Sequence, residues 1–189
     1  MLEAISERDY EKERYSPYWA ETWPSASAMF GFIMRSGFSD TCAAVELGCG
    51  LGVVSSALCA RGLFTVAADI AYHACCFAAF NISRNSEPSR VVCADIHALP
   101  LRQKFDLVVA SDILYEECLI DPLLDCIRNL LVPGGRAWIA DPCRRFWKRF
   151  KERAAKKEFS LEILERTSGG GGGCTIEIVQ LIDLSSRQF

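Results

Sequence analysis

A chain of 189 residues, half of them apolar and about a quarter charged, is long enough for one domain with one core and too apolar to be disordered. The net charge of −3 gives no general attraction for nucleic acid, so nucleic-acid binding would need a local basic patch. Apolar runs stay below the ~18 residues of a membrane span, and the start MLEAISERDYEKERY lacks the apolar region of a signal peptide. We expect one cytoplasmic domain over residues 1–189, with 1–16 as an N-terminal arm and no membrane contact.

Helices and strands are predicted to alternate along most of the chain. The first helix begins near Pro24 and ends at Gly37. Asp121 is expected to cap a later helix that continues with Pro122. The predicted strands are 41–47, 64–69, 89–95, 105–112 and 136–141, and the other helices are 52–62, 71–83 and 143–157.

This alternation predicts an α/β fold with a Rossmann-like, doubly wound sheet that is mostly parallel and covered by helices on both faces. The last two strands, 158–167 and 174–184, are joined by a short glycine-rich tip, Gly169–Gly173. This link is too short for a helical crossover, so we expect the two strands to pair antiparallel.

The chain has ten cysteines, none in a CxxC spacing. Several lie in apolar segments and are predicted to be small, reduced core side chains, which fits a cytoplasmic protein: Cys59, Cys75, Cys76, Cys93 and Cys126. His73 lies near two of them, but no second ligand cluster has suitable spacing, so no metal site is predicted.

A glycine-rich loop, VELGCGLG (45–52), lies between the first predicted strand of the sheet and its helix. Gly48, Gly50 and Gly52 allow a tight turn and the close approach of a ligand to the main chain. Asp69 ends the next strand, 21 residues after Gly48. A carboxylate at that position can accept hydrogen bonds from a ribose diol.

Acidic residues stand at or near the ends of consecutive predicted strands, at Glu46, Asp69, Asp95 and Asp112. In an open parallel sheet, ligands bind at the carboxyl ends of the strands. A row of acids there repels phosphates and favours a cofactor that is cationic or rich in hydrogen-bond donors. The alternative is that each aspartate caps a helix.

These motifs resemble those of the class I, seven-strand S-adenosylmethionine-dependent methyltransferases, over roughly residues 17–184. Glu46 and the three glycines match the E-x-G-x-G-x-G motif, Asp69 the ribose-binding acid, and Asp95-Ile96 the adenine-contacting pair. The resemblance implies a seventh strand antiparallel between the fifth and sixth. It also implies S-adenosylmethionine as cofactor, held by Trp23, Glu46, Gly48, Gly50, Gly52, Asp69, Ile70, Asp95, Ile96 and Ser111.

Two further stretches, PYWAETWPSA (17–26) and SDILY with the later ADP (140–142), are similar to the protein-lysine branch of that family. Its nearest named member is the electron-transfer-flavoprotein β-subunit lysine methyltransferase. Asp112 and Tyr115 match the acid-x-x-aromatic motif of that branch, and Trp23 matches its tryptophan motif. The resemblance implies that Asp112 aligns an amine while Tyr115 offers its π face to it. The alternative is an N-capped turn with Tyr115 packed in the core.

The methyl acceptor is left open between a lysine side chain of a protein and a small-molecule amine, and a non-catalytic scaffold subunit is a third interpretation. The helix at 143–157 holds eight Lys or Arg residues. It is expected to cover the sheet with a solvated basic face, and the alternative is a docking site for an acidic protein or RNA. Trp19 and Trp23 are expected either to close over the cofactor or to pin the N-terminal segment to the core, and the second interpretation is preferred for Trp19.

Overall fold

The computed structural model describes residues 18–38, 42–84, 90–169 and 174–185, so the predicted arm at 1–16 and the glycines at 170–173 lie outside the described residues. The helices are α1 (Pro24–Arg35), α2 (Val53–Ala60), α3 (Tyr72–Ser83), α4 (Ile120–Leu130) and α5 (Trp147–Lys156). The strands are β1 (Ala43–Leu47), β2 (Phe64–Asp69), β3 (Arg90–Cys93), β4 (Phe105–Ser111), β5 (Leu131–Asp141), β6 (Phe159–Ser168) and β7 (Thr175–Asp183).

The seven strands form one sheet in the order β3-β2-β1-β4-β5-β7-β6. Strands β1 to β5 pair in parallel, and β7 pairs antiparallel with both β5 and β6. The predicted mostly parallel sheet and its antiparallel C-terminal hairpin are therefore confirmed. The strand order reverses between β1 and β4, and such a reversal opens a crevice at the carboxyl ends of the strands.

The two faces of the sheet are buried under different helices. Val108 and Ala110 pack on the face that carries α4 and α5, whereas Leu107 and Val109 pack under α1 and α2. Because β4 is buried on both faces, its sequence is a continuous apolar run rather than an alternating one. Each fully buried Val or Leu contributes ~1.5–3 kcal/mol. No helix within the described ranges is long and apolar enough to cross a membrane.

Some local predictions are wrong. Asp121 does not cap α4, because the helix begins one residue earlier, at Ile120, and its N-cap position is Leu119. Cys76 and Cys93 are exposed rather than buried. Cys76 lies on the outer side of α3 and Cys93 at the end of the sheet-edge strand β3, where apolar neighbours in sequence do not ensure burial.

The basic helix α5 covers the sheet as predicted, but its basic face is largely paired with acids. Arg153 binds Asp121 at 2.8 Å, and Lys157 binds Asp125 at 2.5 Å. Arg149 pairs with Glu117 in the same way, and the partners in each pair are 32 residues apart in the chain. The pairs recur every four residues in both segments and form a ladder that joins α5 and its C-cap Lys157 to α4 and the 3-10 turn before it, Glu117–Leu119. The ladder removes much of the positive charge that RNA binding would use.

Candidate active site

A cavity of about 730 Å³ opens at the carboxyl ends of the central strands, at the edge where β1 and β4 diverge. This volume is typical of small-molecule sites. All but one of the residues implied by the sequence line it: Trp23, Glu46, Gly48, Gly50, Asp69, Ile70, Asp95, Ile96, Ser111, Asp112 and Tyr115. Gly52 is the exception.

Two glycines of the loop after β1 serve different purposes. Gly50 has φ +48°, and a Cβ there would lie 3.3 Å from the Trp19 carbonyl oxygen, so glycine lets the loop pack closely against the segment before α1. Gly52 has φ +78°, and a Cβ there would lie 3.0 Å from Ala78 Cα. Gly52 therefore allows α2 and α3 to pack closely instead of lining the site.

Two carboxyl groups face the cavity beside this loop. Asp69 accepts backbone hydrogen bonds from Gly50 and Ala71, each at 2.9 Å, and burial raises the pKa of Asp69 while these bonds oppose the change. Glu46 is 1% exposed and accepts a backbone hydrogen bond from Ser55 at 2.8 Å. Burial raises the pKa of Glu46 to about 8. The loop end of the cavity thus presents two carboxyl groups rather than cations, which does not suit a pyrophosphate.

Asp95 combines a capping role with its place in the cavity wall. Strand β3 ends at Cys93, two residues earlier than predicted, and Asp95 caps the short 3-10 turn Ile96–Ala98 by accepting the His97 N–H at 2.9 Å. Its carboxylate also pairs with the His97 ring. The capping alternative is therefore correct for Asp95, which still lines the cavity together with Ile96. Among the described residues, no group of three or more His, Cys, Asp or Glu is placed to hold a metal ion.

Aromatic rings line another part of the cavity. The ring centroid of Tyr18 lies 6.0 Å from that of Trp23 and 5.9 Å from that of Tyr115. Trp23 Nε1 donates to the Tyr18 carbonyl oxygen at 2.7 Å, which fixes the indole. Tyr115 is 43% exposed, so the alternative that buries it in the core is wrong. Trp19 stacks on Phe77 at 5.7 Å, which packs the segment before α1 against α3, and Trp19 also lines the cavity, so both interpretations stay predictions.

Asp112 lies beside these rings in a left-handed backbone conformation with φ +56° and is 8% exposed. Its Oδ2 accepts the backbone N–H of Ser25 and its Oδ1 accepts the Ser25 hydroxyl, both at 3.1 Å. Arg144 forms an ion pair with the same carboxylate. Ser25 lies in the first turn of α1, whose N-cap residue Trp23 supplies no side-chain bond, so Asp112 caps α1 from another element.

The sequence profile of the methyltransferase domain family matches residues 45–139, which are 95 of the 189 residues. The chain belongs to this family. No curated protein sequence matches it.

Solved methyltransferase structures share the fold at low sequence identity. NodS, an N-methyltransferase from Bradyrhizobium japonicum crystallised with S-adenosyl-L-homocysteine, is 19% identical with a TM-score of 0.69, over 93% of this chain and 96% of that one. ChlM, the magnesium protoporphyrin IX methyltransferase from Synechocystis PCC 6803 with bound SAM, is 15% identical with a TM-score of 0.67, over 84% and 77% of the two chains. The glycopeptide N-methyltransferase MtfA is 15% identical with a TM-score of 0.66, over 84% and 96%.

Three residues that the sequence did not single out also lie at the candidate site: Tyr18 and Arg144 line the cavity, and Ser25 hydrogen-bonds to Asp112. Tyr18 and Ser25 lie inside the stretch PYWAETWPSA that supports the resemblance, but their partners are about 90 residues away in the chain. Arg144 is one of eight cations in its segment, and nothing in the spacing distinguishes it from the others. Only the tertiary structure brings it to Asp112.

Proposed function

We propose that this methyltransferase transfers a methyl group to an amine nitrogen, and that the acceptor is a lysine side chain of a protein. The observation that carries the proposal is that the Asp112 carboxylate lines the same cavity as the rings of Tyr18, Trp23 and Tyr115. Arg144 connects the two, since it pairs with Asp112 and lies over the Trp23 ring. We call this part of the cavity the acceptor end. A carboxylate accepts hydrogen bonds from an amine, and aromatic faces attract cationic or methylated nitrogen.

S-adenosylmethionine is the methyl donor. The acidic loop end of the cavity fits this cationic, donor-rich molecule, and His97 and Arg144 are the only basic side chains among the described residues that line the cavity. We assign the ribose hydroxyls to Asp69 and the adenine to Asp95 and Ile96. Trp23, Glu46, Gly48, Gly50, Ile70 and Ser111 complete the proposed cofactor contacts, and Gly52 supports them only through packing.

When bound, the sulfonium supplies an electrophilic methyl carbon. The chain itself has to hold the amine in line with that carbon. A carboxylate has about four lone-pair sites. Ser25 and Arg144 use three of those on Asp112, and the backbone N–H of Ala26 also hydrogen-bonds to this carboxylate. An amine N–H would therefore share a carboxylate oxygen with one of these donors or displace it. The amine nitrogen then forms the new N–C bond with its lone pair, the C–S bond breaks with its electrons on sulfur, and the positive charge moves to nitrogen. Alignment of this kind can supply up to ~7–11 kcal/mol of the barrier.

A labelling experiment separates a protein acceptor from a small amine. The protein is incubated with methyl-labelled S-adenosylmethionine and host lysate, and proteins are separated from small molecules on a gel. A labelled band that yields methyl-lysine on hydrolysis supports the proposal. Label confined to the small-molecule fraction would assign a small amine instead, and no transfer beyond a protein-free blank would favour the scaffold interpretation. A cytoplasmic location stays a prediction from cysteine content.

A further inference from the structure

Arg144 links the carboxylate of Asp112 to the aromatic end of the cavity. Its guanidinium ion-pairs with Asp112 Oδ1 and donates to the Asp112 carbonyl oxygen at 3.0 Å. The same guanidinium lies 5.3 Å from the ring centroid of Trp23. Its backbone N–H donates to Asp141 Oδ1 at 2.7 Å, which ties the residue to the end of β5. Arg144 is thus fixed between the acid and the rings.

The charges of Asp112 and Arg144 determine which protonation state of the acceptor amine the cavity favours. A bare carboxylate would stabilise an ammonium ion, because an opposite charge within ~4–6 Å favours the charged form. An ammonium ion has no lone pair with which to attack a methyl carbon. The side chains of Asp112 and Arg144 are 5% and 26% exposed, so water screens their charges weakly. Arg144 therefore cancels much of the charge that an ammonium would meet and leaves an oxygen of Asp112 able to accept a hydrogen bond.

We propose that Arg144 is a positioning residue that neutralises Asp112, so that the acceptor end of the cavity selects the uncharged, nucleophilic form of an amine over its ammonium form. This inference rests on the proposed function. The ammonium loses its proton to water before the amine enters, and the neutral amine donates one N–H to Asp112 while its lone pair stays free for the methyl carbon.

Other titratable groups face the same end of the cavity or the arginine itself: Tyr18 and Glu21 before α1, Tyr115, Glu116 and Cys118 after β4, and Asp141 on β5. On the β3 side, Asp95 and His97 pair with each other. These groups are present in all the variants compared below, but Asp141 responds to both members of the pair. Burial raises its pKa to about 6, Arg144 lowers it and Asp112 raises it further. The variants are therefore compared above about pH 8, where Asp141 is ionised and the amine still titrates.

Two variants break the ion pair and leave opposite charges. Arg144→Gln leaves the Asp112 carboxylate unpaired, and Asp112→Asn leaves the guanidinium unpaired. The rate of methyl transfer to Nα-acetyl-lysine methylamide is followed from pH 6 to 11, with kcat and KM separated. If that compound is not accepted, the labelled protein of the lysate experiment serves as acceptor.

We expect the acid limb of the kcat profile, which reports ionisation of the bound amine, to move up by ~1 pH unit in Arg144→Gln and down by ~1 pH unit in Asp112→Asn. A purely structural role would lower the rate by one factor at every pH. Limbs that coincide with that of the wild type, or that move in the same direction in both variants, overturn the inference.

A binding measurement provides a readout that needs no turnover. The protein loaded with S-adenosylhomocysteine is titrated calorimetrically with n-hexylamine at pH 7, where the amine is an ammonium ion. Arg144→Gln should bind this ammonium at least ~10-fold more tightly than the wild type, since the unpaired carboxylate attracts it. Equal or weaker binding overturns the inference.

Arg145→Gln is the matched control. Arg145 is the adjacent arginine, is exposed and lies over Phe146, outside the cavity lining. The Arg145→Gln protein should match the wild type in both measurements. If its acid limb or its affinity for the ammonium ion changes as in Arg144→Gln, the assignment to Arg144 is wrong. The proposed function fails separately, if the wild type transfers methyl to no amine at all. If the wild type transfers methyl to an amine and the acid limbs of the variants do not move, the inference about Arg144 is wrong and the proposed function still holds.

Discussion

Asp69 faces the cavity while two backbone N–H groups, from Gly50 and Ala71, hold its carboxylate in place. We predict that Asp69→Ala weakens S-adenosylhomocysteine binding at least ~10-fold, because each charge-assisted hydrogen bond to a ribose hydroxyl contributes ~1.5–3 kcal/mol. Calorimetry measures this directly.

Asp106→Ala is the control for that measurement. Asp106 also accepts a backbone hydrogen bond, from Ala43 at 2.8 Å, but lies outside the cavity lining. Its removal should leave cofactor affinity unchanged. Unaltered affinity in a folded Asp69→Ala protein would mean that the ribose lies elsewhere.

Glu46 gives cofactor binding a dependence on pH. Because burial raises the pKa of Glu46 to about 8, the free protein holds this carboxyl mostly protonated at pH 7. A bound cation favours the ionised form, so binding below pH 8 must release a proton and affinity should rise as pH increases from 6 to 8.

The comparison with Glu46→Gln isolates this effect, since the cofactor's own titration is common to both proteins. We expect the ratio of wild-type to variant affinity for S-adenosylmethionine to increase steadily between pH 6 and 8 in calorimetric titrations. A ratio that stays constant over that interval would show that Glu46 does not take part in the proton release.

At the scale of elements, β7 is joined to α5 and β6 through one carboxylate. Glu177, which is 7% exposed, accepts hydrogen bonds from Trp147 Nε1 at 2.6 Å, Lys151 Nζ at 2.8 Å and Arg166 Nε at 3.0 Å. Burial raises the pKa of Glu177, but these three donors outweigh burial and lower the pKa to about 2.

The lowered pKa means that the ionised form of Glu177 stabilises the fold. This contribution is complete above the ordinary value of 4.5 and is lost as pH falls from there toward 2. We predict that Glu177→Gln lowers the free energy of unfolding by ~1–3 kcal/mol at pH 7, measured by urea denaturation. The difference from the wild type should shrink between pH 4.5 and 3.

Glu162→Gln on β6 provides the comparison for Glu177. Glu162 is exposed and accepts only a long hydrogen bond from Gln180, at 3.4 Å. We expect Glu162→Gln to change the free energy of unfolding by no more than ~0.5 kcal/mol. A Glu177→Gln protein as stable as this control at pH 7 would show that the three donors are satisfied by water instead.

At the scale of the whole molecule, local sequence patterns were sufficient for the sheet. Apolar strands alternating with helices fix a parallel arrangement, and the short link before residue 174 fixes the antiparallel end. Burial at the edges was predicted less well. Cys93 lies in an apolar run, yet its strand is at the sheet edge and its side chain is exposed.

The cavity was predictable where it depends on one strand and the loop that follows it, as with Gly50, Asp69 and Asp112. It was not predictable where segments distant in sequence meet. Ser25 reaches Asp112 across 87 positions, and Arg144 reaches it across 32. Such pairings depend on the packing of α1 and β5 against β4, which spacing along the chain does not encode.

The identity of the atom that receives the methyl group tests the central claim most directly. S-adenosylmethionine with a carbon isotope label on its methyl group is incubated with the protein and host lysate, and NMR of the hydrolysed products identifies the atom bonded to the label. We predict label on nitrogen, reduced at least ~10-fold with Asp112→Asn, the equivalent of ~1.4 kcal/mol of barrier. Label found only on oxygen, sulfur or carbon would contradict an amine acceptor beside Asp112.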